Sequence, residues 1–171
     1  MKLKFFPALL AFFGCASFAE ADPLATGAAA PEVSAVDQDG KTVNFKDVYA
    51  KGATLVYFYP KADTPGCTRE ACSIRDSWGD LQKKGIQVLG VSEDKPDAQK
   101  KFAEKYKLPH TLIADSDGAV AKAFGVPTTL GFAKRQSFLI QDGKCVWNQL
   151  SASTEKQAED VLKAFDALPK K

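Results

Sequence analysis

Apolar and polar positions along the chain fall into two periods, and together they outline an alternating series of strands and helices. Residues 53–59, Ala-Thr-Leu-Val-Tyr-Phe-Tyr, are almost wholly apolar and stop at Pro60. A short unalternating run of that kind suits a strand buried on both faces, and residues 86–91 repeat it. Between them Cys67, Ala71, Ile74, Trp78 and Leu81 recur at steps of four and three, one face of an α-helix. Thr64 is its N-cap, Pro65 takes the first helical position and Gly85 is the stop. A helix over 96–106 aligns Phe102 with Tyr106; a strand over 111–114, a turn at Asp117-Gly118 and a short helix over 119–124 follow. Asp39-Gly40 and Asp142-Gly143 mark hairpins, and a last helix over 154–168 turns Ala158, Val161, Leu162, Phe165 and Leu168 to one side. The order predicts an α/β domain: a central mixed β-sheet flanked by helices on both faces, with an N-terminal β-hairpin.

The start of the chain breaks this pattern. Lys2 and Lys4 precede an apolar run over residues 5–13, and small residues follow. That is the order of a signal peptide, with cleavage after Ala19 or Ala21. The run is too short for a stable membrane span. Residues 1–21 are therefore read as a leader, 22–31 as a flexible tether and 32–171 as the domain. The expected location is periplasmic or secreted; a lipid anchor through Cys15 fits the sequence less well. The net charge of +2, with no long basic run, gives no support for nucleic-acid binding. Export permits disulfides, and loss of a leader carrying Cys15 leaves Cys67, Cys72 and Cys145, an odd number.

Cys67 falls three residues after the N-cap, where backbone N–H groups lack intrahelical partners and the helix dipole favours an anion. Such positions favour the thiolate, the form that attacks electrophiles. Cys72 is five residues on. Along an ideal helix that is a rise of ~7.5 Å with side chains ~140° apart, and a Cα separation of roughly 8.6 Å. A disulfide needs Cα atoms within about 7 Å. Either the two never pair, or pairing requires the first helical turns to unwind. The Cys-x-x-Cys motif of dithiol exchangers is absent. His110 is the single histidine and reads as a packing or surface residue, so neither a zinc site nor Cys-His acyl transfer is supported. Cys145, beside Val146 and Trp147, reads as a small core residue.

The run Tyr59-Pro60-Lys61-Ala62-Asp63-Thr64-Pro65-Gly66-Cys67-Thr68-Arg69-Glu70 resembles the active-site signature of peroxiredoxins, Pro-x-x-x-Thr-x-x-Cys. With Cys72 it is similar to the bacterioferritin-comigratory, or Q-type, subfamily, and further segments agree over residues 32–168. The resemblance implies a thioredoxin-like fold without metal or cofactor. It makes Cys67 the peroxidatic cysteine and Cys72 the resolving one. Thr64 is implied to hydrogen-bond thiolate and peroxide, Pro60 to shield the pocket, Arg135 to supply positive charge and Glu70 to orient that arginine. It implies a hydroperoxide substrate reduced through a sulfenic acid, an intramolecular disulfide, an external thiol or dithiol reductant of thioredoxin type, and a monomer. Two other readings compete: an exported thiol-disulfide oxidoreductase, and a non-enzymatic domain stapled by a Cys67–Cys72 disulfide.

Overall fold

The computed structural model describes residues 22–169; the segment read as a leader, with Cys15, lies outside them. Its centre is a seven-stranded mixed sheet in the order β2-β1-β5-β4-β3-β8-β9. The hairpin around Asp39-Gly40 is β1 (Ser34–Asp37) with β2 (Thr42–Asn44). Strands β3 (Thr54–Phe58), β4 (Gln87–Ser92) and β5 (Thr111–Ala114) are parallel. β8 (Gln136–Gln141) runs antiparallel beside β3, and β9 (Lys144–Gln149) pairs with β8. The two apolar runs are thus the middle of the sheet, as their lack of alternation requires.

Helices cover both faces. Val56 and Phe58 pack with α1 (Phe45–Tyr49) and α5 (Ala119–Ala123) on one side. Leu55, Tyr57 and Tyr59 face α2 (Pro65–Asp76), α3 (Trp78–Lys83), α4 (Pro96–Tyr106) and α6 (Gln157–Asp166) on the other. The strand period of two therefore assigns alternate residues of β3 to two separate cores.

Three expectations are corrected. The helix read continuously from Thr64 to Gly85 is two helices, because Ser77 leaves helical geometry with ψ 11°. Ser77 is the break and Gly79 follows two residues on, and both are weak helix formers. Beyond the break α3 ends at Gly85 as expected: Ile86 N–H donates to Leu81 O at 3.0 Å and Gly85 N–H to Gln82 O at 2.9 Å. The last helix begins at Gln157, not Thr154, because Ser153 Oγ takes the N–H groups of Glu155 and Lys156 at 3.3 and 3.0 Å in a local turn. Residues 22–31 are a docked strap, not a flexible tether. Gly27 N–H donates to Cys145 O, Cys145 N–H to Ala28 O and Ala30 N–H to Gly143 O, at 2.7 to 2.9 Å. The strap satisfies backbone groups along β9, which is otherwise an edge strand. Its first residues reach α5, with Leu24 N–H on Phe124 O at 2.9 Å. Gly125, at φ +64°, allows this approach: a Cβ there would lie 2.0 Å from Asp22 O. The excursion between α5 and β8 carries a small hairpin, β6 (Thr128–Thr129) with β7 (Phe132–Ala133).

Candidate active site

Cys67 is the third residue of α2 and is 2% exposed, packed among Tyr57, Tyr59, Ala71 and Ile74 beneath the helix. Thr64 occupies the N-cap position and Pro65 the first helical one. The Thr64 hydroxyl makes no cap hydrogen bond; it donates to Lys61 O at 3.0 Å, while Thr64 O accepts the first helical N–H, from Thr68, at 2.8 Å. The hydroxyl is thus spent on the loop that precedes the helix. Pro60, half-buried, ends β3 and opens that loop.

Arg135, just before β8, reaches α2 from 68 residues away. Its Nη2 lies 3.2 Å from Cys67 Sγ, and its Nη1 donates to Glu70 Oε2. Glu70, one turn after Cys67, is fully buried. A planar guanidinium offers each group its own nitrogen at fixed spacing, where a lysine ammonium has only one nitrogen. Burial pushes the Glu70 carboxyl up, opposed by the adjacent guanidinium. Burial likewise works against the Arg135 charge, but Glu70 and Cys67 hold it above its ordinary value. One permanent cation therefore faces a sulfur and a carboxyl, away from bulk water, where its field is strong. The other edge of the site is the segment before α6: a Cβ on Gly66 would lie 3.4 Å from Arg135 Nη2 and 3.6 Å from Thr154 Cγ2. Arg69 meets Glu155 at 3.6 Å on the same rim.

Cys72 is partly exposed on the same unbroken helix, and Cys67, Cys72 and Cys145 are all free thiols. An intact α2 with two free cysteines is the dithiol arrangement that helical geometry demands. Cys145 is buried core; its thiol meets Trp147 O at 3.3 Å, and burial pushes its pKa up to about 11. His110 is also a packing residue. It is 3% exposed, its Nε2 sits 2.8 Å from Tyr57 Oη, its ring lies against Trp78, and burial lowers its pKa to about 3.

Several supporting residues were not legible beforehand. Tyr59 Oη donates to Gln99 Oε1; Gln99 Nε2 in turn donates to Ser92 Oγ at 2.8 Å and Ile113 O at 2.9 Å. Ser92 Oγ donates to Asp94 Oδ2, which also takes the Ala62 N–H, both at 2.7 Å. This buried chain ties the loop before Cys67 to the ends of β4 and β5. Gln99, three residues from Phe102 on the apolar face of α4, was the one available signal: a polar side chain placed in a core must find partners.

Residues 26–148 match the family model described as the AhpC/TSA family. The chain is 47% identical over 131 residues to peroxiredoxin Bcp of Escherichia coli strain K12, covering 72% of this chain and 83% of that protein. It is 37% identical over 147 residues to chloroplastic peroxiredoxin Q of Populus jackii, covering 83% and 68%. Among solved structures, the peroxidoxin BcpB of Mycobacterium tuberculosis superposes with a TM-score of 0.81 at 32% identity, covering 86% of this chain and 99% of that one. The bacterioferritin comigratory protein of Xanthomonas campestris, solved in connection with its alkyl peroxide reduction activity, gives 0.76 at 27% identity, covering 84% and 96%.

Proposed function

Because this chain belongs to the AhpC/TSA family, as a peroxiredoxin of the Bcp and Q type, we propose that its thiol-dependent peroxidase chemistry is carried by Cys67 as the attacking sulfur and Cys72 as the resolving one. The observation that carries this assignment is the Arg135 guanidinium 3.2 Å from Cys67 Sγ at the first turn of α2. Among the described residues no comparable cation contacts the sulfur of Cys145, which is buried in the opposite core.

The Cys67 thiolate attacks one oxygen of a hydroperoxide in line with the O–O bond. That bond breaks, Cys67 becomes a sulfenic acid, and the departing oxygen leaves as water or an alcohol after taking a proton. Helix N–H groups and Arg135 supply positive charge on both sides of the transfer, where it counts most in the transition state. Glu70 holds one side of the guanidinium so that the other side faces the sulfur. Thr64 reaches the reacting atoms by exchanging its bond to Lys61 O for one to peroxide, and Pro60 keeps water from the pocket. The Cys72 sulfur then attacks the sulfenyl sulfur and expels water, closing a disulfide. An external dithiol of thioredoxin type restores both thiols by exchange. The basic, apolar, small order of residues 1–21 supports export, and with it a reductant that works outside the cytosol.

The test is to mix reduced protein with one equivalent of hydrogen peroxide and follow free thiols and mass. Wild type loses two thiols without net gain of oxygen. Cys72→Ser stops at a sulfenic acid on Cys67, and Cys67→Ser consumes almost no peroxide. Rapid oxidation of Cys67→Ser would refute the roles given to the two cysteines.

A further inference from the structure

The residue before the N-cap is held in an unusual way. Asp63 has φ +59°, the left-handed region that side-chain-bearing residues visit reluctantly. Its carboxylate takes hydrogen bonds from Lys105 Nζ at 2.8 and 2.9 Å and from Tyr106 Oη at 2.7 Å. These are the last two residues of α4. Tyr106 acts a second time: its backbone carbonyl accepts from Arg75 Nη1 at 2.8 Å. Arg75 is one residue from the other end of α2. A single residue on a neighbouring helix therefore holds both ends of the segment that contains Cys67 and Cys72. Tyr106 is itself well seated, with its ring edge-on to the buried Phe102 at 5.4 Å.

We propose that Asp63, Tyr106 and Arg75 form a bracket that opposes unwinding of α2 and so sets the rate at which Cys72 closes on oxidised Cys67. The inference rests on the roles given to the two cysteines above. Those sulfurs cannot meet on an intact helix, so closure waits for the first turns to open. Opening rotates the backbone at Thr64 and carries Asp63 out of its left-handed conformation, against three hydrogen bonds. At the other end the Arg75–Tyr106 bond keeps the unwinding short of Asp76. The bracket supplies no electrons and no protons; the reaction remains Cys67 sulfenic acid plus Cys72 thiol giving disulfide plus water. Its effect is on timing. A sulfenic acid that waits longer is exposed longer to a second peroxide, which takes it to sulfinic acid. Asp63 and Lys105 are about half exposed, so their attraction is modest and screened by salt. The bracket is poised and not locked.

Reduced wild type, Asp63→Asn and Tyr106→Phe are mixed with excess hydrogen peroxide, quenched at intervals and alkylated, and the sulfenic, disulfide and sulfinic forms are counted by mass. Asparagine tolerates the left-handed backbone, and phenylalanine keeps the ring on Phe102, so each variant removes bonds without adding strain. Circular dichroism confirms that each is folded. Disulfide closure accelerates about two- to fivefold in either variant, as expected for an exposed charged contact. The sulfinic share at high peroxide falls by a similar factor. The double variant is no faster than Asp63→Asn, because the hydroxyl acts through that carboxylate. Added salt speeds closure in wild type and barely in Asp63→Asn. Closure at the wild-type rate, or slower, in both single variants overturns the bracket. If wild type forms no Cys67–Cys72 disulfide at all, the cysteine roles fail first and the bracket falls with them.

Discussion

At the scale of single residues, one cation serves two partners, a sulfur and a carboxyl. Arg135 spans Cys67 and Glu70, and both are nearly or fully buried. Arg135→Lys keeps the charge but loses the planar fork. A lysine that stays with Glu70 leaves the sulfur, and one that turns to the sulfur leaves a buried carboxyl unpaired. The rate of Cys67 oxidation by hydrogen peroxide, measured by rapid mixing, should fall about a hundredfold, the usual loss when one aimed donor is removed from a reacting site. Thermal stability falls less, because burial already raises the Glu70 carboxyl and a proton can replace the missing partner. Thr64 gives a second lesson at this scale. Its N-cap position was readable from Thr64-Pro65, but the use of its hydroxyl on Lys61 O was not, since a cap residue can satisfy its side chain in several ways.

At the scale of elements, strands were more legible than helix ends. β3 and β4 lie within one residue of their apolar runs, because burial on both faces leaves few polar positions to confuse the boundary. The late start of α6 depends on Ser153, whose hydroxyl competes with the helix for backbone partners, and the α2–α3 break falls at Ser77, a weak helix former that makes no side-chain cap bond. The strap at 22–31 is hidden from the sequence for another reason. Small residues without periodicity look like a linker, and only an adjacent strand with free backbone groups makes them structure. Gly125 gives a direct check. Gly125→Ala places a methyl group against Asp22 O and imposes a left-handed backbone on alanine. The strap should detach from α5, with a loss of about 1–3 kcal/mol in stability by denaturant unfolding. Amide exchange at Leu24 and Gly27 should quicken, while the peroxide reaction stays near that of wild type.

Over the whole molecule, two buried ionisable groups oppose each other in mild acid. Burial lowers the His110 pKa to about 3, so the unfolded chain binds a proton there more readily. Its share of stability is present above the unfolded value near 6.5 and is lost as pH falls from there towards 3. Asp115 runs the other way. Burial raises its pKa to about 6 despite hydrogen bonds from the Val120 and Ala121 N–H groups, and its share is lost as pH rises from the ordinary carboxylate value through 6. His110→Gln can still meet the Tyr57 hydroxyl but cannot titrate. Its melting temperature should lie below wild type at neutral pH, and its decline on acidification should be shallower, by roughly 3 kcal/mol at about pH 4. Parallel curves for the two proteins would show that His110 does not bear the acid sensitivity.

By itself the order of residues determined the local matters: which runs enter the sheet, that a helix opens at Thr64-Pro65 with Cys67 in its first turn, and that Cys72 lies beyond bonding distance on that helix. These follow from periods, caps and rises that act over a few residues. Arg135, Glu70, Tyr59 and Gln99 became a site only through tertiary structure, which carried side chains from distant parts of the chain into one water-poor volume, with the half-exposed Tyr106 bracket beside it. There each polar group had to find a partner or bear the cost of burial, and no local pattern records which partner it finds.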